Sequence, residues 1–344
     1  EQFIGGSYGL GLAELDDGSI VVAAVKPEGP AALAGINAGA HLVAWNGVPI
    51  QKALVAADTR WFKNAATKDD LALERLQALT RAPIGTHAVI EFFAATAEEQ
   101  QQERDATAEE SPKTRIATLT AYSDNFADLA LFDLAPIPTM EELRKNVEWR
   151  ILDRNVGYLR IYHVIHFDDY AQYPTEVTEI VAQALEAFNA AGVNSLILDL
   201  RGNRGGSDQA AADISGHFAK ESSIYERTAW YNASSGRFDY AHSDLFAQTF
   251  ELGDEPLWVE PRQPHFWGNI AVLVNPATIS SGEGLAMAIG RQPNATVMGF
   301  YGTHGSFGLV FWPIAMPEGI SFQFPIGRSL DAHGVIQIDS DASG

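Results

Sequence analysis

The run Leu196-Ile-Leu-Asp199-Leu-Arg201-Gly202-Asn203-Arg204-Gly205-Gly206 constrains this chain more than any other. An apolar strand breaks into a glycine-rich turn, and a helical pattern follows from Gln209 to Ala219. Such a turn leaves backbone N–H groups unpaired and pointing outward, which is what an oxyanion hole requires. A phosphate cradle needs the same amides, but the Walker lysine and the dinucleotide spacing are both absent.

A second strand-to-helix junction lies downstream, Ala271-Val-Leu-Val274-Asn-Pro-Ala-Thr278-Ile279-Ser280-Ser281-Gly282-Glu283-Gly284. Two serines stand at the head of the helix that follows, where the helix dipole and free amides favour an alkoxide. Taken by itself, the same pattern also suits a simple N-cap. Around both junctions strands and helices alternate: Val156–Tyr162, Ser195–Leu200 and Ile270–Val274 read as strands, Tyr173–Ala190 and Gly282–Gly290 as helices. That alternation predicts a sheet covered by helices.

The N-terminal part has another texture. Tyr8-Gly9-Leu10-Gly11-Leu12 can expose successive backbone amides. Ile20–Val25 and His41–Trp45 read as strands, the latter closed by an Asn46-Gly47 turn, and a short helix begins at Pro30 and ends at Gly35. A helical segment from about Lys52 to Leu79 and a strand over Thr86–Phe93 follow. With Val25-x-Pro27-x-Gly29-Pro30-Ala31-x-x-Ala34-Gly35-Ile36 this stretch resembles a PDZ domain. The resemblance implies that Gly9, Leu10, Gly11 and Leu12 hold the terminal carboxylate of an extended peptide that adds to a sheet edge. The Glu-, Gln- and Ala-rich run from Ala94 to Lys113 reads as a solvated linker or helix.

In order, the PDZ-like stretch, Gly157-Tyr158-Leu159, the D-x-R-x-N-x-G-G run from Asp199 to Gly206 and the S-x-x-E run from Ser280 to Glu283 resemble the tail-specific (C-terminal processing) protease family, peptidase family S41, over nearly the whole chain. The resemblance implies an α/β (α+β) fold: a PDZ domain at 5–95, a linker at 96–113, and at 114–344 a serine-peptidase core of mixed sheet with covering helices, like ClpP and crotonase. It also implies that Ser280 is the nucleophile of an acyl-enzyme. The Ser281 amide and an amide of Gly205 or Gly206 would then form the oxyanion hole. Unstructured polypeptide C-termini are the implied substrates, and an extracytoplasmic site (periplasmic, secreted or surface-anchored) the implied location. Oligomers remain open, and no cofactor is implied.

One element departs from the family. Its general-base lysine stands in a T-x-G-K turn; here that turn is Thr303-His304-Gly305-Ser306, and no lysine occurs after Lys220. Without a base a serine hydroxyl is a weak nucleophile. Three readings follow. In a tricorn-like branch a histidine precedes the PDZ domain and is oriented by a C-terminal acid such as Asp339 or Asp341; both chain ends are then expected to extend beyond the present sequence. Alternatively a resident histidine serves, His304 ahead of His163 and His166. The third reading is an inactive binding module or scaffold on the same fold, as among relatives of retinoid carriers, with Phe307–Trp312 lining an apolar pocket.

Composition narrows the partners. A net charge of -21 repels nucleic acid and anionic membranes alike. No apolar run approaches the roughly 20 residues of a membrane span. With no cysteine there are no disulfides or thiolate zinc sites. The pairs Asp16-Asp17 and Asp168-Asp169 resemble metal ligands only loosely, so no metal is assigned.

Overall fold

The computed structural model describes residues 3–62, 65, 67–93, 114–132, 146–164, 177–244, 249–310, 314–319, 321–322 and 324–338. The chain divides into two compact units, Glu1–Ile137 and Pro138–Gly344.

In the first unit the elements run β1 (Gly6–Ser7), β2 (Leu10–Glu14), β3 (Ile20–Val25), α1 (Pro30–Leu33), β4 (His41–Trp45), β5 (Val48–Pro49), α2 (Ile50–Val55), α3 (Lys68–Leu79), β6 (Arg81–Ala82), β7 (His87–Phe93), β8 (Arg115–Thr120) and β9 (Tyr122–Ser123). One sheet has the order β2-β3-β4-β7-β8, with β5 paired to β4; a smaller one has the order β6-β1-β9. A 3-10 helix, Ala127–Phe132, closes the unit. Leu10, Leu12, Ile20, Val22, Ile36, Leu76, Ile90 and Phe92 form its buried interior.

Two sequence expectations change here. The helix anticipated over Lys52–Leu79 is broken between Val55 and Lys68, where Asp58 caps a turn at Thr59–Trp61. Thr67 then restarts the helix by accepting the Asp70 amide. The strand at Arg115, expected to begin the second domain, instead pairs antiparallel with β7 from His87↔Thr120 to Phe92↔Arg115. Its alternation, with Ala117 and Leu119 buried, suits a sheet whose other face meets water. The Ala94–Lys113 linker and the stretch Thr139–Lys145, whose sequence also reads as a helix, lie outside the described residues.

In the second unit the elements are β10 (Val147–Leu152), β11 (Val156–Ile161), α4 (Val177–Ala190), β12 (Ser195–Asp199), α5 (Asp208–Gly216), β13 (Ser223–Asn232), β14 (Arg237–Asp244), β15 (Thr249–Leu252), β16 (Leu257–Val259), β17 (Asn269–Leu273), α6 (Ser281–Gly290), β18 (Ala295–Met298), β19 (Gly308–Val310), β20 (Ile314–Ala315), β21 (Ser321–Phe322) and β22 (Pro325–Leu330). The main sheet has the order β10-β11-β12-β17-β18, parallel except for its β10–β11 edge. A second sheet, β15-β14-β13-β22-β19, is antiparallel.

The core explains the local pattern. Val177, Val181, Ala184, Leu185 and Phe188 of α4 recur at helical spacing and are all fully buried. A Cβ on Gly157 would lie 3.0 Å from the Phe188 ring. The glycine of the Gly157-Tyr158-Leu159 strand is therefore a packing requirement, since any side chain there would lift α4 off β11.

Candidate active site

β12 and β17 are neighbours in the sheet and parallel, so both glycine- and serine-bearing turns leave it at the same end. In open α/β sheets that end is where ligands gather. The two turns are stitched together by hydrogen bonds: Leu200 N to Leu273 O at 2.9 Å, Thr278 Oγ1 to Leu200 O at 2.9 Å, and Gly202 N to Asn275 Oδ1 at 2.9 Å. Asn203 sits at their centre, fully buried. Its Nδ2 donates to Ile161 O at 3.0 Å, its Oδ1 accepts from Gly205 N at 2.9 Å, and its backbone carbonyl accepts from Ile279 N at 2.8 Å.

Asp199 fixes the start of the glycine turn. Its buried carboxylate accepts from Arg201 N, Nε and Nη2 and from the Tyr158 hydroxyl, all between 2.7 and 3.1 Å. Burial alone would raise its pKa, but the hydrogen bonds and charge of Arg201 outweigh that and hold it below the usual carboxylate range.

Ser280 stands at the head of α6 with φ 57° and ψ −129°. A non-glycine residue there is strained, of order 1–3 kcal/mol, and persists only where its surroundings hold it. Glu283 does so. Its buried carboxylate accepts Ser280 N at 2.9 Å and reaches across to Gly305 N at 2.6 Å, Ser306 N at 3.0 Å and Ser306 Oγ at 3.2 Å. Ser306, in the place of the family's lysine, is thus tied to the acid that orients Ser280. A strained strand-to-helix turn of this kind exposes the nucleophilic serine of α/β-hydrolases.

The two expected halves of the site meet. A Cβ on Gly205 would lie 2.8 Å from Ser280 Cβ and 2.9 Å from Ser281 N, so only glycine fits. Of the two amides expected to face an oxyanion, that of Gly205 donates to Asn203 Oδ1. The Gly206 amide makes no hydrogen bond within the described residues, and neither does that of Ser281. Gly205 therefore contributes by lacking a side chain, and Gly206 carries the exposed N–H.

Of the histidines, His304 is half-buried and its N–H donates to Thr278 O at 3.1 Å, which sets it on the turn beside the Ser280 junction. His163 is buried and precedes Val164, which bridges to Gly206 through Val164 N to Gly205 O at 3.0 Å. His166, Asp168, Asp169, Asp339 and Asp341 lie outside the described residues. Phe307 and Leu309, considered as pocket lining, are buried in core contacts; Phe307 meets Tyr225 edge-on at 5.8 Å.

In the first unit, Gly9 has φ +75° and donates its N–H to Ser7 Oγ at 2.9 Å, while Leu10, Gly11 and Leu12 begin β2. The Ala127–Phe132 helix packs on β2, β3 and α3, and a Cβ on Gly11 would collide with the Leu131 carbonyl. Asp128, buried, accepts from the Ser7 hydroxyl at 2.6 Å and from the Tyr122 hydroxyl at 2.7 Å.

Sequence inspection had flagged Glu283 only as a motif member and had not assigned Asn203 a task. The buried amide hub behind a G-G turn is visible only when both junctions are seen together.

The model of peptidase family S41 matches residues 155–341. Among solved structures, mature CPAF complexed with lactacystin superposes with a TM-score of 0.57 at 13% identity, covering 97% of this chain and 78% of that one. Mature CPAF gives 0.57 at 13%, covering 98% and 79%. These likenesses are of fold. Comparison with curated proteins gave no match. With its family match spanning both junctions, the chain belongs to peptidase family S41 and is a hydrolase of the serine-peptidase type.

Proposed function

We propose that the chain is an endopeptidase of the tail-specific type in which Ser280 forms the acyl-enzyme. The observation that carries this is the strained Ser280, clamped by Glu283 and pressed against the Gly205–Gly206 turn. The Ser280 hydroxyl attacks the scissile carbonyl, and the amides of Ser281 and Gly206 receive the oxyanion, aided by the N-terminus of α6. A histidine takes the proton; among the described residues His304 and His163 are the candidates, and His304 is preferred because its turn shares Glu283 with Ser280. The same base gives that proton to the leaving amine as the peptide C–N bond breaks, and water, deprotonated by the base, then attacks the acyl-enzyme; the new carboxyl end departs as the proton returns to the Ser280 oxygen.

The first unit is read as the PDZ domain that holds unstructured peptide ends, with Gly9–Leu12 as the carboxylate loop, β2 as the edge to which a peptide adds, and 138–344 as the catalytic core. Function outside the cytoplasm fits this activity.

A fluorophosphonate probe tests the nucleophile. It is expected to label the intact protein and not Ser280→Ala, and to label His304→Ala more slowly by about 100-fold or more, the scale of a lost general base. Equal labelling of Ser280→Ala removes Ser280 from the mechanism. A normal rate in His304→Ala with a collapsed rate in His163→Ala transfers the base role to His163.

A further inference from the structure

Behind Ser281 lies a polar cluster that the reaction just described does not use. Asp208 is the first residue of α5, following Ser207, whose Oγ caps the helix by accepting Ala210 N at 3.2 Å. Ser281 is the first residue of α6, and the two helices pack together with the Ser281 hydroxyl beside the Asp208 carboxyl. Tyr225 and Glu226 approach from β13, and Ser329 from β22 beside Glu226. All but Asp208 are buried at the residue level, and Asp208 buries its Oδ1. Gly284 packs so closely on the Tyr225 hydroxyl that a Cβ would not fit.

Four atoms in this cluster are buried without a hydrogen-bond partner: Asp208 Oδ1, Glu226 Oε2, the Tyr225 hydroxyl and Ser281 Oγ. Two buried carboxyl groups within electrostatic reach of each other cannot both ionise without a large penalty. Arg291, just after α6, acts on Tyr225 and spends its guanidinium on Ile224 O, Gln337 Oε1 and Met287 Sδ. Holding one proton on the pair avoids that penalty.

We propose that Asp208 and Glu226 share a proton in the active enzyme, and that as positioning residues they keep excess negative charge away from the Ser281 amide that receives the oxyanion. The inference rests on the Ser280 reading above. Full ionisation of the pair would place two negative charges behind the donor that must stabilise a third, weakening it. Burial pushes both acids up, Asp208 to about 6 and Glu226 well above its ordinary value, with Asp208 adding to the rise in Glu226. The enzyme therefore loses acceleration at alkaline pH through a group that never touches substrate.

The test follows the rate of fluorophosphonate labelling of the intact protein from pH 5 to 10, alongside urea melts over the same range. In the wild type the rate is expected to fall on the alkaline side. Glu226→Gln and Asp208→Asn each leave a single carboxyl, so neither can carry the two charges, and both are expected to abolish that alkaline fall. The wild-type urea stability is expected to decline as pH rises through the raised values, because the folded chain binds more protons there, and both variants are expected to flatten that decline. Superimposable rate profiles for wild type and both variants overturn the positioning role. An unchanged stability slope overturns the shared proton. A wild type that labels at no pH, with the slope flattened as expected, instead overturns the Ser280 reading and with it the positioning role, and leaves the proton pair standing.

Discussion

Glu283 Oε2 accepts the backbone N–H of Ser280 at 2.9 Å, three residues along the same helix turn. The same oxygen accepts the Ser306 amide, and Oε1 accepts that of Gly305. One acid thus fixes both a strained backbone and the turn opposite it, and its neighbours supply the first prediction. Glu283→Ala leaves three partly buried amide donors without their acceptor, which costs on the order of 2–4 kcal/mol in stability. Fluorophosphonate labelling of Ser280 is expected to fall by more than about tenfold at a temperature where the variant is still folded. Glu283→Gln, which keeps one acceptor oxygen, is expected to recover part of both losses.

Gly205 and Gly202 form a matched pair for the second prediction. Both have positive φ, 82° and 77°. A Cβ at 205 would meet Ile279 O and Ser280 Cβ at 2.8 Å, whereas a Cβ at 202 meets nothing within 4 Å. Gly202→Ala is expected to cost only its backbone strain, about 1 kcal/mol, and to keep labelling intact. Gly205→Ala must displace Ser280 and is expected to abolish labelling while costing about 1–3 kcal/mol more.

Asp199→Asn tests the anchor of the glycine turn. The substitution removes the charge facing Arg201 and leaves at least one of its four donors short of an acceptor. Arg201 is partly exposed, so water compensates in part, and a loss of about 2–3 kcal/mol is expected in urea melts. Since Asp199 is ionised in the fold at a depressed pKa, its contribution is present above pH 4 and lost as pH falls through the folded value. The variant's stability is expected to converge on the wild type's in acid.

His217 gives a second pH effect of known sign. Burial lowers its pKa, against the opposing hydrogen bond between Nδ1 and Pro264 O at 2.9 Å. The folded chain therefore takes up its proton later than the unfolded chain as pH falls. Stability is expected to drop from about pH 6.5 downward, and His217→Gln is expected to reduce that slope in melts between pH 7 and 5.

The proposed capture of peptides by the first unit makes a prediction about the Ala127–Phe132 helix. It packs on β2 and α3, with the Leu131 carbonyl on Gly11 and the Asp128 carboxylate on Ser7. A peptide adding to β2 has to displace it. Asp128→Ala is expected to raise the affinity for a peptide with a free C-terminus by about fivefold or more, since a buried charged hydrogen bond worth about 1.5–3 kcal/mol no longer competes. Fluorescence anisotropy with free and amidated peptides measures this, and equal affinities of wild type and variant contradict it.

Much of the chemistry was legible in the residues. Ser280, Glu283 and the Gly205–Gly206 turn stand out because strain, close approach and helix N-termini restrict which residue types can occupy them. The strands β11, β12 and β17 were equally plain, being apolar runs bounded by turn residues. Less legible was the place of Arg115–Thr120: its alternating pattern marks a half-exposed strand but carries no information about which strand it joins. The break between Val55 and Lys68 was hidden for a related reason, since a polar, alanine-containing run suits a helix until Asp58 and Thr67 act as caps.

The sequence by itself marked the Ser280 junction and the Gly205–Gly206 turn as the candidate site, because each requirement is local: a serine ahead of a helix, and glycines where the chain turns sharply. Only the tertiary structure decided how they are shared out. Asn203 Oδ1 takes the Gly205 amide and leaves that of Gly206. Glu283 spans to Ser306, and Asp208 comes to lie beside Ser281 from a helix far away in the chain. Those outcomes depend on β12 and β17 being parallel neighbours and on α5 packing against α6. Pairing and packing between distant segments are set by the sum of many small contacts, which no single stretch of residues encodes.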